Sequence, residues 1–175
     1  MNEDKRNPYW RFGAMIVSST VIMFALMYAN TYRWDDVWWS ETRTYMALYM
    51  GAMMAIVMLA FMLGMYANKK INAAIFAGSA ALFVVALALL RSQALVGDTA
   101  WMKGMIPHHS IAVLTSERAD ISDPRVRALA DEIIAAQVRE IKEMEWLIAD
   151  IAENGEVTDE AAAEARAVPD FSGDE

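Results

Sequence analysis

Three apolar stretches, at residues 12–32, 45–66 and 71–90, contain no ionised side chain between those limits. Each is about the 20 residues that a helix needs to cross some 30 Å of hydrocarbon. In lipid, every backbone N–H and C=O of a lone span must be paired within the segment itself, so helices are the form expected for all three. Residues 1–94 are therefore read as a transmembrane region. From Leu95 onward the chain turns mixed and charged, and this half carries most of the acidic surplus behind the net charge of −8. A separate extramembrane domain is expected there.

The first stretch, behind Lys5, Arg6 and Arg11, could pass for a signal-peptide core, but Met27 breaks the small-residue pattern a cleavage site before Ala29 would need. It is read as an anchor. Lys5, Arg6 and Arg11 share a side with the short basic turn at Lys69 and Lys70, against Arg33, Arg43, Arg91 and Lys103 on the other. Positive charge collects on cytoplasmic flanks, which favours a cytoplasmic N-terminus and, after three spans, an exported C-terminal domain. For a bacterial inner membrane that compartment is the periplasm. Trp34, Trp38 and Trp39, with Tyr32, Tyr45 and Tyr49, read as an interfacial belt.

Two faces in the spans are patterned. Met46, Met50, Met54, Met58 and Met62 recur at i+4, with Met53 and Met65 nearby; thioethers so aligned can be apolar filler or a soft-donor ladder for Cu(I). Ala73, Ala77, Ala81 and Gly78 give the third span a small face that permits close approach of another helix.

The soluble half reads as a helical hairpin over residues 95–154. Asp98 can cap a first helix from about Thr99, and Asp123-Pro124 starts a second that stops at Asn154-Gly155. The acidic, alanine-rich residues 155–175 are expected to lack regular structure. On the second helix a 4,3 spacing selects Val126, Ala130, Ile133, Gln137, Glu140, Met144, Leu147 and Ile151, flanked by Ile134, Ile141 and Ile148. On the first it selects Met102, Met105, His109, Ala112, Ser116 and Ala119, with His108 about 100° around. Pro107 predicts a kink or restart just before the histidines. An antiparallel fold about residue 121 sets Met105 opposite Gln137 and Met102 opposite Glu140.

The run Met105-Ile106-Pro107-His108-His109, then Ala112, Leu129-Ala130, Gln137, Glu140-Ile141, Met144 and Trp146-Leu147, resembles the family catalogued as DUF305. The resemblance covers residues 101–151. It implies a ferritin-like helical fold and, for some members, periplasmic copper or silver binding and metal tolerance. Carried over by position, the candidate ligands are His108, His109, Met105, Met102 and Met144. Thr115 stands where many relatives have a further methionine.

The residues themselves agree with that chemistry. The chain has only two histidines, adjacent to each other, and imidazole with thioether suits copper, Cu(I) in particular. Glu140 can ligate directly or orient an imidazole, and Glu140 and Gln137 can equally fix register as buried polar residues. With no cysteine there is no thiolate site and no disulfide. No Glu-x-x-His pair supports a di-iron centre, and no nucleophile or phosphate loop supports an enzyme.

The expected architecture is thus all-α: three membrane helices, then a hairpin that completes a four-helix bundle by oligomerisation. Lipid, further copies of the chain and a larger membrane complex are the expected partners; nucleic acid is not. The competing reading is a structural or accessory subunit without a metal.

Overall fold

The computed structural model describes residues 8–171 and Gly173, so Lys5 and Arg6, which entered the orientation argument, lie outside the described residues. The described chain is all-α. Six helices follow one another: α1 (Pro8–Leu26), α2 (Glu41–Phe61), α3 (Lys69–Ser92), α4 (Asp98–Arg118), α5 (Pro124–Asn154) and α6 (Glu160–Ala165). They form two compact units, one of residues up to Met27 with Glu41–Leu95, the other of Tyr28–Ser40 with Val96–Glu175.

In the first unit α1, α2 and α3 are each long and apolar enough to cross a membrane. Their outer surfaces carry exposed Val17, Val21, Ile22, Phe61, Val84 and Val85, side chains that water would penalise and lipid accepts. α2 is the middle helix, packed against both α1 and α3. Its buried line is Ala47, Gly51 and Ala55, small residues at i+4 that let the backbones approach, continued by the larger Leu59. Thr20 of α1 sits over Gly51, where an added Cβ would fall 2.4 Å from its hydroxyl oxygen.

The methionine stripe lies beside that line rather than on it: Met58 and Met62 pack around Phe12, Ala55, Leu59 and Tyr66, while Met53 and Met65 are exposed. Ala73, Ala77 and Ala81 of α3 are exposed, and nothing lies within 4 Å of a Cβ placed on Gly78. The basic turn is held by polar bonds. Asn68 caps α3 by accepting from the Lys70 and Ile71 amides, and Tyr9 donates to Asn72 Oδ1 at 2.8 Å.

In the second unit α4 and α5 form the expected hairpin. Asp123 caps α5 by accepting from the Arg125 amide, Pro124 occupies the first turn, and Gly155 at φ 78° ends it. That positive φ is the reason a glycine stands there. At α4 the N-cap is Gly97 and not Asp98, which is the first helical residue and makes no capping bond. α4 runs through Pro107 without a break, so no restart occurs.

Two segments outside residues 95–154 belong to this unit. Residues 28–40, between α1 and α2, form a strap along α4. The tail also has structure: Asp159 caps α6 by accepting from the Ala162 amide, and Arg166 pairs with Asp150. This ion pair holds the Asp150 carboxyl below its ordinary range. The expectation of an unstructured tail missed these local bonds because alanine and acid carry no packing signal, only a capping one.

A candidate metal centre in the helical hairpin

The hairpin core is Met102, Ile106, Ile141, Met144 and Ile148, with Met105, Trp38, Leu147 and Ile151 packed against it. Three thioethers from two helices, Met102, Met105 and Met144, therefore share one apolar cluster. On α4 the buried residues are Met102, Ile106, Pro107, His109, Ser110 and Val113, a wider arc than one seam. The arc is wide because α5 covers one part of it and the strap another.

His109 is nearly buried and uses both ring nitrogens. Nδ1 lies 2.9 Å from the Met105 carbonyl, and Nε2 lies 2.8 Å from Glu140 Oε2. A carbonyl only accepts, so Nδ1 carries a hydrogen; the second contact then needs one proton, on Nε2 or on the carboxyl. Gln137 Nε2 donates to the same Glu140 oxygen at 3.3 Å. The two polar residues of the α5 seam thus form one network with a histidine. His108 is exposed, with its ring centroid 5.9 Å from that of His109.

This register corrects the expected one. Glu140 faces His109, not Met102, which packs with Met144 and Ile148. Helical side chains lean toward their own N-terminus. In an antiparallel pair the lean carries α4 side chains away from the turn and α5 side chains toward it. A pairing counted from Cα positions therefore understates the α5 partner. The lean accounts for about one residue per helix.

The strap runs antiparallel to α4. The Glu117 carboxylate holds the Tyr32 phenol above its ordinary range. The Tyr32 amide donates to Ser110 Oγ at 2.7 Å, and Ser110 Oγ donates to Asp36 Oδ2 at 2.6 Å. Farther along, Lys103 Nζ sits 5.6 Å from the Trp38 ring centroid, and Ser40 Oγ comes so close to α4 that a Cβ on Gly104 would lie 3.1 Å away. Asp36 and Ser40 are fully buried. Trp38 thus serves the hairpin core, whereas Trp34 and Trp39 are exposed as an interfacial belt requires. Glu145 on α5 titrates above the ordinary carboxylate range, chiefly through burial and then through the negative charge of Asp36.

Sequence reasoning missed the strap. Its signal was the pair Asp35-Asp36 within an aromatic loop and a glycine, Gly104, inside a helix where alanine would be the better former. Among the described residues no three His, Asp or Glu side chains gather as a metal site. The thioether cluster beside His109 is a donor set of the soft kind.

Comparison with known proteins agrees on where the unit lies. The family described as "Domain of unknown function (DUF305)" matches residues 97–172. An uncharacterised protein of Acanthamoeba polyphaga mimivirus is 36% identical over 69 residues, which cover 38% of this chain and 45% of that protein. The aligned region thus spans under half the length of this relative. No solved structure matches. Three long apolar helices are thus followed, at residues 97–172, by a DUF305 domain, whose family is defined by sequence and not by an activity.

Proposed function

We propose that the chain is a membrane-anchored metal-binding protein whose DUF305 domain takes a soft ion, copper as Cu(I) or silver as Ag(I), on the periplasmic side of a bacterial inner membrane. The observation that carries this reading is the meeting of Met102, Met105 and Met144 in one cluster, with His109 anchored to the Met105 carbonyl. Thioether and imidazole are the donors that select such ions, and neither thiolate nor a carboxylate cage competes. Met105 and His109 would hold the ion, with Met102 and Met144 as further sulfur donors and the exposed His108 as a second imidazole. Glu140 orients His109 and gives up its contact when Nε2 turns to a metal. One proton leaves the pair on that exchange, so metal uptake and proton release are linked. The role is binding and not catalysis.

The test is a Cu(I) titration of the full chain in mild detergent against a competing chelator. Met105→Leu keeps the volume and removes the sulfur; it should weaken Cu(I) by about tenfold or more, about 1.4 kcal/mol, with helicity unchanged. The His108→Ala/His109→Ala variant should weaken it further. Wild-type affinity in both variants refutes the reading.

A second reading, an accessory subunit that assembles with copies of itself, is supported by the exposed apolar Val126 and Leu129 on α5 and by the uncovered small face of α3. Val126→Asp/Leu129→Asp should then release monomers, measured by sedimentation. A wild type already monomeric in several mild detergents would refute it.

A further inference from the structure

Between the strap and the hairpin lies a cavity of about 130 Å³ that shares the wall Ile141 with the hairpin core and is otherwise lined by Asp36, Val113 and Val138, with Tyr32, Ser110, Arg33 and Lys142 as its polar walls. Asp36 is the unexplained member. Its side chain is 1% exposed, its Oδ2 accepts from Ser110, and its Oδ1 has no hydrogen-bond partner. A buried carboxylate oxygen without a donor is among the costlier defects a fold can hold, so a donor from outside the chain is the physical expectation there. Ser110, another wall, has its single hydroxyl proton on Oδ2 and none left for Oδ1.

The same walls suit the alkyl part of a small organic ligand, as binding pockets do when a few polar groups sit in apolar linings. Charge selects its sign. Arg33 is paired with Asp35 at 3.4 Å, which leaves Asp36 as the acid in the cavity wall, and the negative charge of Asp36 adds to burial, the larger cause, in holding Glu145 above the ordinary carboxylate range. A second positive charge on the ligand would meet Arg33 and Lys142, so a monoamine is preferred to a diamine.

We propose that this cavity binds a small primary ammonium ion, an alkylamine of a few carbons, whose N–H donates to Asp36 and whose chain lies on Val113, Val138 and Ile141. The site does not rest on the metal reading and contains none of its proposed ligands.

The test uses the full chain in detergent and reads ligand-induced thermal shift and calorimetric titration with methyl-, ethyl- and propylammonium chloride, with tetramethylammonium and potassium chloride as controls. Saturable binding should strengthen from methyl to propyl and be absent with tetramethylammonium, which has no N–H to donate. Asp36→Asn, which keeps the shape and removes the charge, should weaken propylammonium by about tenfold or more. Val138→Phe should fill the cavity and abolish binding without touching Asp36, and it decides the matter alone if Asp36→Asn does not fold. Cu(I) affinity should be unchanged in Val138→Phe, which separates this proposal from the metal reading. Absence of saturable binding by all three amines, an equal response to potassium or tetramethylammonium, or full binding in the folded variants overturns it.

Discussion

His109 and Glu140 meet across the hairpin at 2.8 Å, Nε2 to Oε2, while the other ring nitrogen of His109 is held by the Met105 carbonyl of its own helix. One imidazole therefore ties α4 to α5 and to the thioether cluster at once. Glu140→Ala should leave a nearly buried ring nitrogen without a partner. The expected loss is about 1–2 kcal/mol, toward the low side of such losses because the glutamate is partly open to water. Glu140→Gln should recover most of it. Denaturant unfolding of the C-terminal unit, followed by Trp fluorescence, checks both; no loss in Glu140→Ala would mean the pair is idle.

Ser110 is the corresponding tie to the strap, since its hydroxyl accepts from the Tyr32 amide and donates to the buried Asp36. Ser110→Ala strands both groups and should cost about 2–4 kcal/mol. In the Asp36→Ala background the same change should cost less, because one stranded group is already gone. A protease cutting within residues 28–40 should attack Ser110→Ala faster than the wild type. Equal rates would refute the strap as a stabilising element.

Much of this could be read from residue patterns, and the failures have a common cause. The spans followed from apolar length, and the start of α5 from Asp123-Pro124, because both depend on local chemistry. α1 stops at Leu26 rather than near residue 32 because Tyr28–Ser40 pack elsewhere. No local pattern reveals a tertiary contact separated by more than 70 residues, such as Asp36 with Ser110. Periodicity put His109, the methionines and Glu140 on facing seams but did not tell which of them meet, since it gives faces and leaves the offset between two helices open. The methionine stripe drew attention from the adjacent small-residue line, Ala47, Gly51 and Ala55, that is buried among the long apolar helices.

That line makes a prediction inside the membrane. A methyl group on Gly51 would meet Thr20 Oγ1 at 2.4 Å and Thr20 Cγ2 at 3.1 Å. Gly51→Ala should destabilise the α1 and α2 contact by about 1–3 kcal/mol, the usual range for overpacking. Thr20→Ala removes the obstructing atoms and should restore stability in the double variant. Thermal aggregation in detergent reads the effect; additive losses in the double variant would place the strain elsewhere.

Glu145 gives a pH dependence whose sign is fixed by its environment. Burial and the nearby Asp36 raise its folded titration above the unfolded value. The folded state then binds a proton more tightly than the unfolded one, so stability falls as pH rises between the two values, and the cost is fully present above the folded one. Glu145→Gln should raise the melting temperature at neutral pH and give no gain below the unfolded value of about 4.3. A gain that is equal at both pH values would show that the charge is not the cause.

Topology supplies the last prediction, and the strap sharpens it. Residues 28–40 and the α4–α5 hairpin form one compact unit, so we expect them on one side of any bilayer that the apolar helices cross. Two of the three candidate spans, α2 and α3, separate them in sequence, and an even number of crossings returns the chain to the same side. α1 alone separates the strap from the N-terminus, so α1 as a third span predicts the opposite compartment for the N-terminus. Reporters inserted in the loop near Arg33 and after Asn154 should agree with each other and disagree with one fused at the N-terminus. With the N-terminus cytoplasmic, as the basic turn at Lys69 and Lys70 favours, the two agreeing reporters should be those that work only after export. Agreement of all three would remove α1 as a span. Disagreement between the first two would break the strap, because a buried Asp36 cannot reach Ser110 through a membrane.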